Sequence, residues 1–224
     1  MLNHSFPEYE LEILNIAKYL KNKPLFLIRN AVATLKEYGH GILKGYQNYR
    51  VVYWATPFIF NQVRKMLRER YTPNLEKYAF SFQLQSLVDC SLPGLAHFVY
   101  TDHTDLENLN YPDFNPLKLY SKSWIKLEKE IYHHANLVFT RSSNITRSII
   151  KQYDCPAEKV VEVYAGSNTL VSTCPSTLDR YQKKNILFVG VDWERKGGPL
   201  LLEAFKQLLI YHPDATLTIV GPAL

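Results

Sequence analysis

The stretch "NLVFTRSSNITRSIIKQYDCPAEKVVEVY", Asn136–Tyr164, decides the fold. It opens on a short run of β-branched and aromatic residues. It then passes Ser142 and Ser143, both suited to cap a helix, and places Ile145, Ile149 and Ile150 on one helical face. Pro156 leads into "KVVEVY", a second β-type run. Strand, helix and strand in this order predict one parallel α/β unit.

The same alternation continues outward on both sides. Upstream, "SWIKLEKEIYHHA" spaces Trp124, Leu127, Ile131 and Ala135 three to four apart, the apolar stripe of a helix that delivers the chain into "NLVFT". Further β-type runs are read in "PLFLI", "YRVVYWA", "YAFSFQL" and "HFVYT". Downstream, "NILFVGV" and "ATLTIVG" flank a helix that starts near Pro199 and buries Leu201, Phe205, Leu208 and Leu209. The expected fold is therefore α/β: a Rossmann-like parallel sheet with helices on both faces, followed by the first β-α-β unit of a second Rossmann-like domain. The expected boundaries are 1–168 for the first domain, 169–184 for a Ser/Thr/Lys-rich linker, and 185–224 for an incomplete second domain.

Composition excludes several classes. Of 224 residues, 46% are hydrophobic and 21% charged, ordinary globular usage. The net charge of +5 suits a polyanion, a membrane surface or a phosphorylated small molecule equally. The basic run "RKMLRER", Arg64–Arg70, carries Val63 and Met66/Leu67 at helical spacing, so it reads as a solvated helix face, not a nucleic-acid stripe. Cys90, Cys155 and Cys174 are odd in number and widely spaced, which supports neither a disulfide framework nor a zinc site. "MLNHSFPEYELEIL" lacks the charge and apolar pattern of a signal peptide, and no apolar run reaches membrane-spanning length. A cytoplasmic protein is expected, with contact to the inner membrane surface left open.

Two segments at predicted strand ends carry chemistry, where α/β sheets place ligands. "GVDWERKGGPLLLEAF", Gly190–Phe205, combines close backbone approach at its glycines, N–H groups at a helix start, and the cations Arg195 and Lys196. A diphosphate suits such a turn; the alternative is a surface turn in which Asp192 and Glu194 neutralise the two cations. "FVYTDHTDLENLNYP" ends a β run in Asp102, His103 and Asp105. There His103 could donate to a hydroxylated ligand or relay a proton, or simply hold structure. Gly166 and Ser167 follow another strand as a backbone approach or a plain turn. "GHGILKG", Gly39–Gly45, lacks the spacing of a dinucleotide fingerprint and reads as a turn between a helix and a strand. His133 and His134 read as surface or packing residues of their helix. No metal ligand set is apparent.

Taken together, "VYTDHT", the block Ala135–Asn168 and "NILFVGVDWERKGGPLLLEAFKQLLIYHPDATLTIVG" resemble retaining glycosyltransferases of family 4, with the two-domain GT-B fold. The resemblance runs from about Phe98 to Gly221. It implies sugar transfer of hexosyltransferase type, with retained configuration, from a nucleotide-sugar donor to a sugar, lipid or polysaccharide acceptor, without a bound metal or other cofactor. It assigns His103 a catalytic place near the transferred sugar and Lys196 the donor diphosphate. Gly190 matches the strand-end glycine, and Gly166 matches the glycine of a family turn. Val191 stands where the family carries a basic residue, and Arg195 is read as supplying that charge. Asp102, Asp105, Gly166 and Ser167 are candidate acceptor or sugar contacts. The family's E-x7-E element would lie beyond Leu224, so the chain is expected to be truncated and to have little or no activity alone. The rival expectation is a non-catalytic binding or assembly protein that retains the acceptor-side domain.

Overall fold

In the computed structural model, the structure describes residues 7–21, 23–166 and 182–221. The chain divides into two compact units, Met1–Gly166 and Ser167–Leu224. The first is an α/β, Rossmann-like unit around a four-stranded, all-parallel sheet in the order β1 (Ser81–Leu84), β2 (His97–Thr101), β3 (Leu137–Thr140), β4 (Val160–Glu162). The helices are α1 (Ile16–Lys21), α2 (Pro24–Leu43), α3 (Tyr49–Val52), α4 (Pro57–Tyr71), α5 (Lys122–His134) and α6 (Ser143–Lys151).

The core forms because strand alternation meets three apolar helix stripes. Val99 of β2 and Val138 of β3 point to one face. They are buried with Ile59, Phe60 and Val63 of α4, Ile131 of α5, and Ile145 and Ile149 of α6. The helices that build this core cover that one face. On the other, Phe82, Phe98 and Phe139 form an aromatic ladder, and Phe82 and Leu84 stay 48% and 70% exposed. The Ser121 side chain caps α5 through the Trp124 N–H, and Ser142 is the N-cap residue of α6. In α4, Arg64, the least exposed cation of the basic run, reaches Glu130 at 3.0 Å, while Lys65 and Glu69 face solvent.

Two expected strands are helices. "PLFLI" opens α2, because Pro24 takes the first helical turn and a short apolar run does not itself distinguish strand from helix. The buried stripe of α2 is polar: Asn30, Thr34 and Tyr38. Asn30 Nδ2 donates to the Tyr53 carbonyl at 2.6 Å, and the Tyr38 hydroxyl donates to the Ala55 carbonyl at 2.5 Å. "YRVVYWA" supplies those carbonyls from the one-turn helix α3 and its exit, capped by Asn48. "GHGILKG" is not a turn between a helix and a strand. Gly39 and Gly41 lie inside α2, Gly45 at φ 73° lets the chain leave it, and the next element is a helix.

The second unit pairs β5 (Asn185–Val189) in parallel with β6 (Thr216–Val220), joined through α7 (Gly198–Tyr211). Leu201, Phe205, Leu208 and Leu209 form the half-buried face of α7. Most of the expected linker, and Ser167, fall outside the described residues. Among the described residues, no helix is long and apolar enough to cross a membrane.

Candidate functional site

The carboxyl end of β2 opens into a cleft of about 530 Å³ within the first unit. One wall is the segment after β2, with His103, Asp105 and Asn108. The facing wall comes from Tyr46, Gln47 and Asn48, after α2, and from Phe114, Lys118 and Tyr120, before α5. These two wall segments are tied together: Gln47 Nε2 donates to the carbonyls of Leu117 and Leu119 at 3.0 and 2.6 Å. A Cβ at position 41 would lie 2.6 Å from Gln47 Cγ, so glycine there lets this side chain reach across. The glycine run thus shapes a cleft wall.

Of the residues singled out in the sequence, His103 and Asp105 come together in this cleft. Thr101 Oγ1 donates to the His103 carbonyl at 2.7 Å, and His103 Nε2 sits 3.3 Å from Asn108 Nδ2. Loss of water around the ring holds the His103 imidazolium below the usual histidine range, against the pull of Asp102 and Glu107. Asp105 is 5% exposed, and its Oδ2 accepts the Tyr120 N–H at 2.9 Å. Burial pushes its carboxyl up to about 6, offset in part by that hydrogen bond. The cleft therefore offers a neutral imidazole beside an acid that holds its proton until near-neutral pH. Asp102 belongs elsewhere: it accepts from Gln85 Nε2 at 2.9 Å and faces Arg141 at 3.5 Å. Gly166 is exposed, and a Cβ there would meet nothing within 4 Å.

The turn of the second unit is ordered by local contacts. A Cβ at Gly190 would sit 3.1 Å from Lys196 Cγ, so the Lys196 stem lies across that glycine. Gly198 leaves room for the Trp193 ring, which a Cβ would meet at 2.1 Å. Gly197 takes φ 80° to enter α7. Arg195 Nε pairs with Asp192 Oδ2 at 3.0 Å, the contact that the neutralised-turn alternative expects. The N–H groups of Lys196, Gly197 and Gly198 already donate to the carbonyls of Asp192, Glu194 and Trp193. That leaves fewer donors for an anion than the sequence suggested. Lys196 forms no ion pair among the described residues.

Sequence reasoning missed the facing wall of the cleft and the acid behind it, Glu128. Tyr46–Asn48 and Phe114–Tyr120 carry no motif, and only Gln47 bridging two distant segments reveals them. Glu128 stands four residues after Trp124 and three before Ile131, the spacing that puts all three on the buried face of α5. No protein-family model matches the chain, and no curated protein matches it. Among the described residues, no group of three or more His, Cys, Asp or Glu side chains could hold a metal ion.

Proposed function

We propose that the cleft beside His103 and Asp105 is the acceptor side of a retaining glycosyltransferase, and that the turn at Lys196 holds the diphosphate of a nucleotide-sugar donor. The observation that carries this reading is the cleft itself. It lies at the carboxyl end of a parallel strand and combines a neutral imidazole, a buried carboxyl and an amide with the aromatic rings of Tyr46, Phe114 and Tyr120. Amides and carboxyls match the hydroxyl groups of a sugar, and aromatic faces match its C–H surfaces. His103 would donate to a hydroxyl near the reacting carbon, and Lys196 would stabilise charge on the departing diphosphate, with Arg195 joining it on leaving Asp192.

A second reading is favoured by the cleft's position wholly inside the first unit: a binding protein that takes a sugar without transferring it. Saturation-transfer NMR with a panel of mono- and disaccharides, followed by assays with UDP-, GDP- and ADP-sugars, tests both. Sugar binding that His103→Ala and Asp105→Asn weaken, with turnover of one donor, supports the transferase. Binding without turnover of any donor supports the second reading, and no binding of any saccharide sinks both.

A further inference from the structure

Glu128 lies behind the cleft, 1% exposed, on the inner face of α5. Three hydroxyls from three segments converge on its carboxyl group: Tyr132 at 3.0 Å, Ser86 at 3.3 Å, and Tyr153. Among the described residues no cation pairs with it. An apolar side chain of similar size would fill this place at lower cost, because a buried carboxyl group, even when protonated, gives up its hydrogen bonds to water. The groups it holds therefore matter more than the space it fills.

They lead to the cleft wall. The Asp105 N–H lies 3.4 Å from each carboxyl oxygen, a long contact shared between the two. The stronger route runs through Tyr153, whose hydroxyl donates to Glu128 and accepts the Leu106 N–H at 3.0 Å. A hydroxyl polarised by donating to an acid is a better acceptor. The next amide, Glu107 N–H, donates to Thr104 Oγ1 at 3.2 Å, and that hydroxyl meets Ser148 Oγ at 2.6 Å. Three consecutive amides are thus held by side-chain oxygens, while the side chains of His103, Asp105 and Asn108 line the cleft.

We propose that Glu128 is a positioning residue for the cleft: through the Asp105 amide, and through Tyr153 to the Leu106 amide, it fixes the spacing of His103, Asp105 and Asn108. The consequence for ligand binding rests on the reading of the cleft given above, but the geometry can be tested without any ligand. The titratable groups that face Glu128 are Asp105 from the loop after β2, Tyr132 on its own helix, Tyr153 after α6, and Tyr120 before α5.

Amide hydrogen exchange and histidine titration by NMR on the full chain provide the test. Glu128→Leu, which removes the acceptor oxygens, is expected to speed exchange at Asp105 and Leu106 by about ten-fold or more, with Val99 and Val138 in the sheet unchanged. It should also raise the His103 midpoint toward the usual histidine value. Glu128→Gln, which keeps an acceptor oxygen, should restore protection at both amides, and Tyr153→Phe should release Leu106 alone. Unchanged exchange at Asp105 and Leu106 in Glu128→Leu overturns the proposal. So does an equal rise at Val99 and Val138, because it would mean that Glu128 merely stabilises the core. If Glu128→Leu does not fold, Tyr153→Phe decides: faster exchange at Leu106 with a shifted His103 resonance supports the proposal, and neither change overturns it. A failure to bind sugar would leave all these readouts intact, so the two ideas fail separately.

Discussion

The segments that follow β2 and β5 both leave the carboxyl end of a parallel strand, yet they are held in opposite ways. After β2, the amides of Asp105 and Leu106 are anchored by side chains far away in sequence, Glu128 and Tyr153. After β5, Arg195, Lys196, Gly197 and Gly198 bond to Asp192, Glu194 and Trp193, all within five residues. Burial explains the difference. β2 alternates fully buried with half-buried residues beneath three helices, whereas β5 and β6, joined through α7, alternate only half-buried with exposed ones. A strand end under a deep core can be fixed from behind, while one on a thin layer has to fix itself.

The largest test of this contrast is core truncation. Ile131→Ala in the first unit removes a fully buried side chain and should cost about 2–5 kcal/mol in denaturant unfolding followed by circular dichroism. Leu208→Ala, on the half-buried face of α7, should cost less than half as much, because most of the lost contact is already replaced by water. Equal losses would mean that the second unit has a core comparable to the first.

A smaller effect is expected at the self-fixed turn. Gly198→Ala places a Cβ where the Trp193 ring now lies, so the ring has to leave its edge contact with Phe188, 5.6 Å between centroids. Overpacking of this kind costs about 1–3 kcal/mol. Trp193 fluorescence should shift to the red as the ring moves toward water. An unshifted emission in the single-tryptophan background Trp54→Phe/Trp124→Phe would show that the backbone yields instead of the ring.

The buried acids sharpen the comparison through pH. Burial raises Glu128 to about 8 from an unfolded value of 4.5, so the folded chain keeps a proton that the unfolded chain has lost. Its contribution to stability is therefore largest at low pH and is lost as pH rises through about 8. Asp105, raised to about 6, behaves alike over a lower window. His97, lowered to about 4 by burial, and His103, also lowered, work the other way and lose stability as pH falls below 6.5. Between these windows, from about pH 6.5 to 8, Glu128 dominates, and stability should fall by about 1–2 kcal/mol, a few degrees in Tm. Glu128→Gln should flatten that slope. The same slope in the variant would place its origin elsewhere.

How much of this was legible in the sequence follows the same division. The βαβ unit from Asn136 to Tyr164 was readable because its strand and helix periods are local and its helix stripe is apolar. α2 was not, because it buries Asn30, Thr34 and Tyr38 and turns Leu25, Ile28 and Leu35 outward, at 69%, 63% and 56% exposure. Polar burial of that kind becomes visible only when the Tyr53 and Ala55 carbonyls are in place to accept. His103 and Asp105 stood out as a cluster at a strand end. Tyr46, Phe114, Lys118 and Tyr120 did not, since only the folded chain brings segments about 70 residues apart to one cleft. In the turn after β5, the resemblance matched Lys196 to the diphosphate and read Arg195 as standing in for the charge missing at Val191, and the folded geometry adds a second distinction, the pairing of Arg195 with Asp192.

That separation sets the smallest expected effect. Arg195 is engaged by Asp192, while Lys196 lies across Gly190 with no ion pair among the described residues. If a diphosphate docks here, the unengaged cation should carry more of the attraction, because Arg195 has to exchange one anion for another. Titration calorimetry of UDP at low ionic strength should show Lys196→Ala weakening binding by about ten-fold, worth about 1.4 kcal/mol for a charge-assisted contact. Arg195→Ala should weaken it less, and Asp192→Asn should tighten it by freeing the guanidinium. All three side chains sit at an exposed turn, so the unfolding midpoint should hold steady in each variant. A larger loss from Arg195→Ala than from Lys196→Ala would mean that the ion pair with Asp192 opens for the ligand. The turn would then no longer count as the self-contained counterpart of the loop that Glu128 holds.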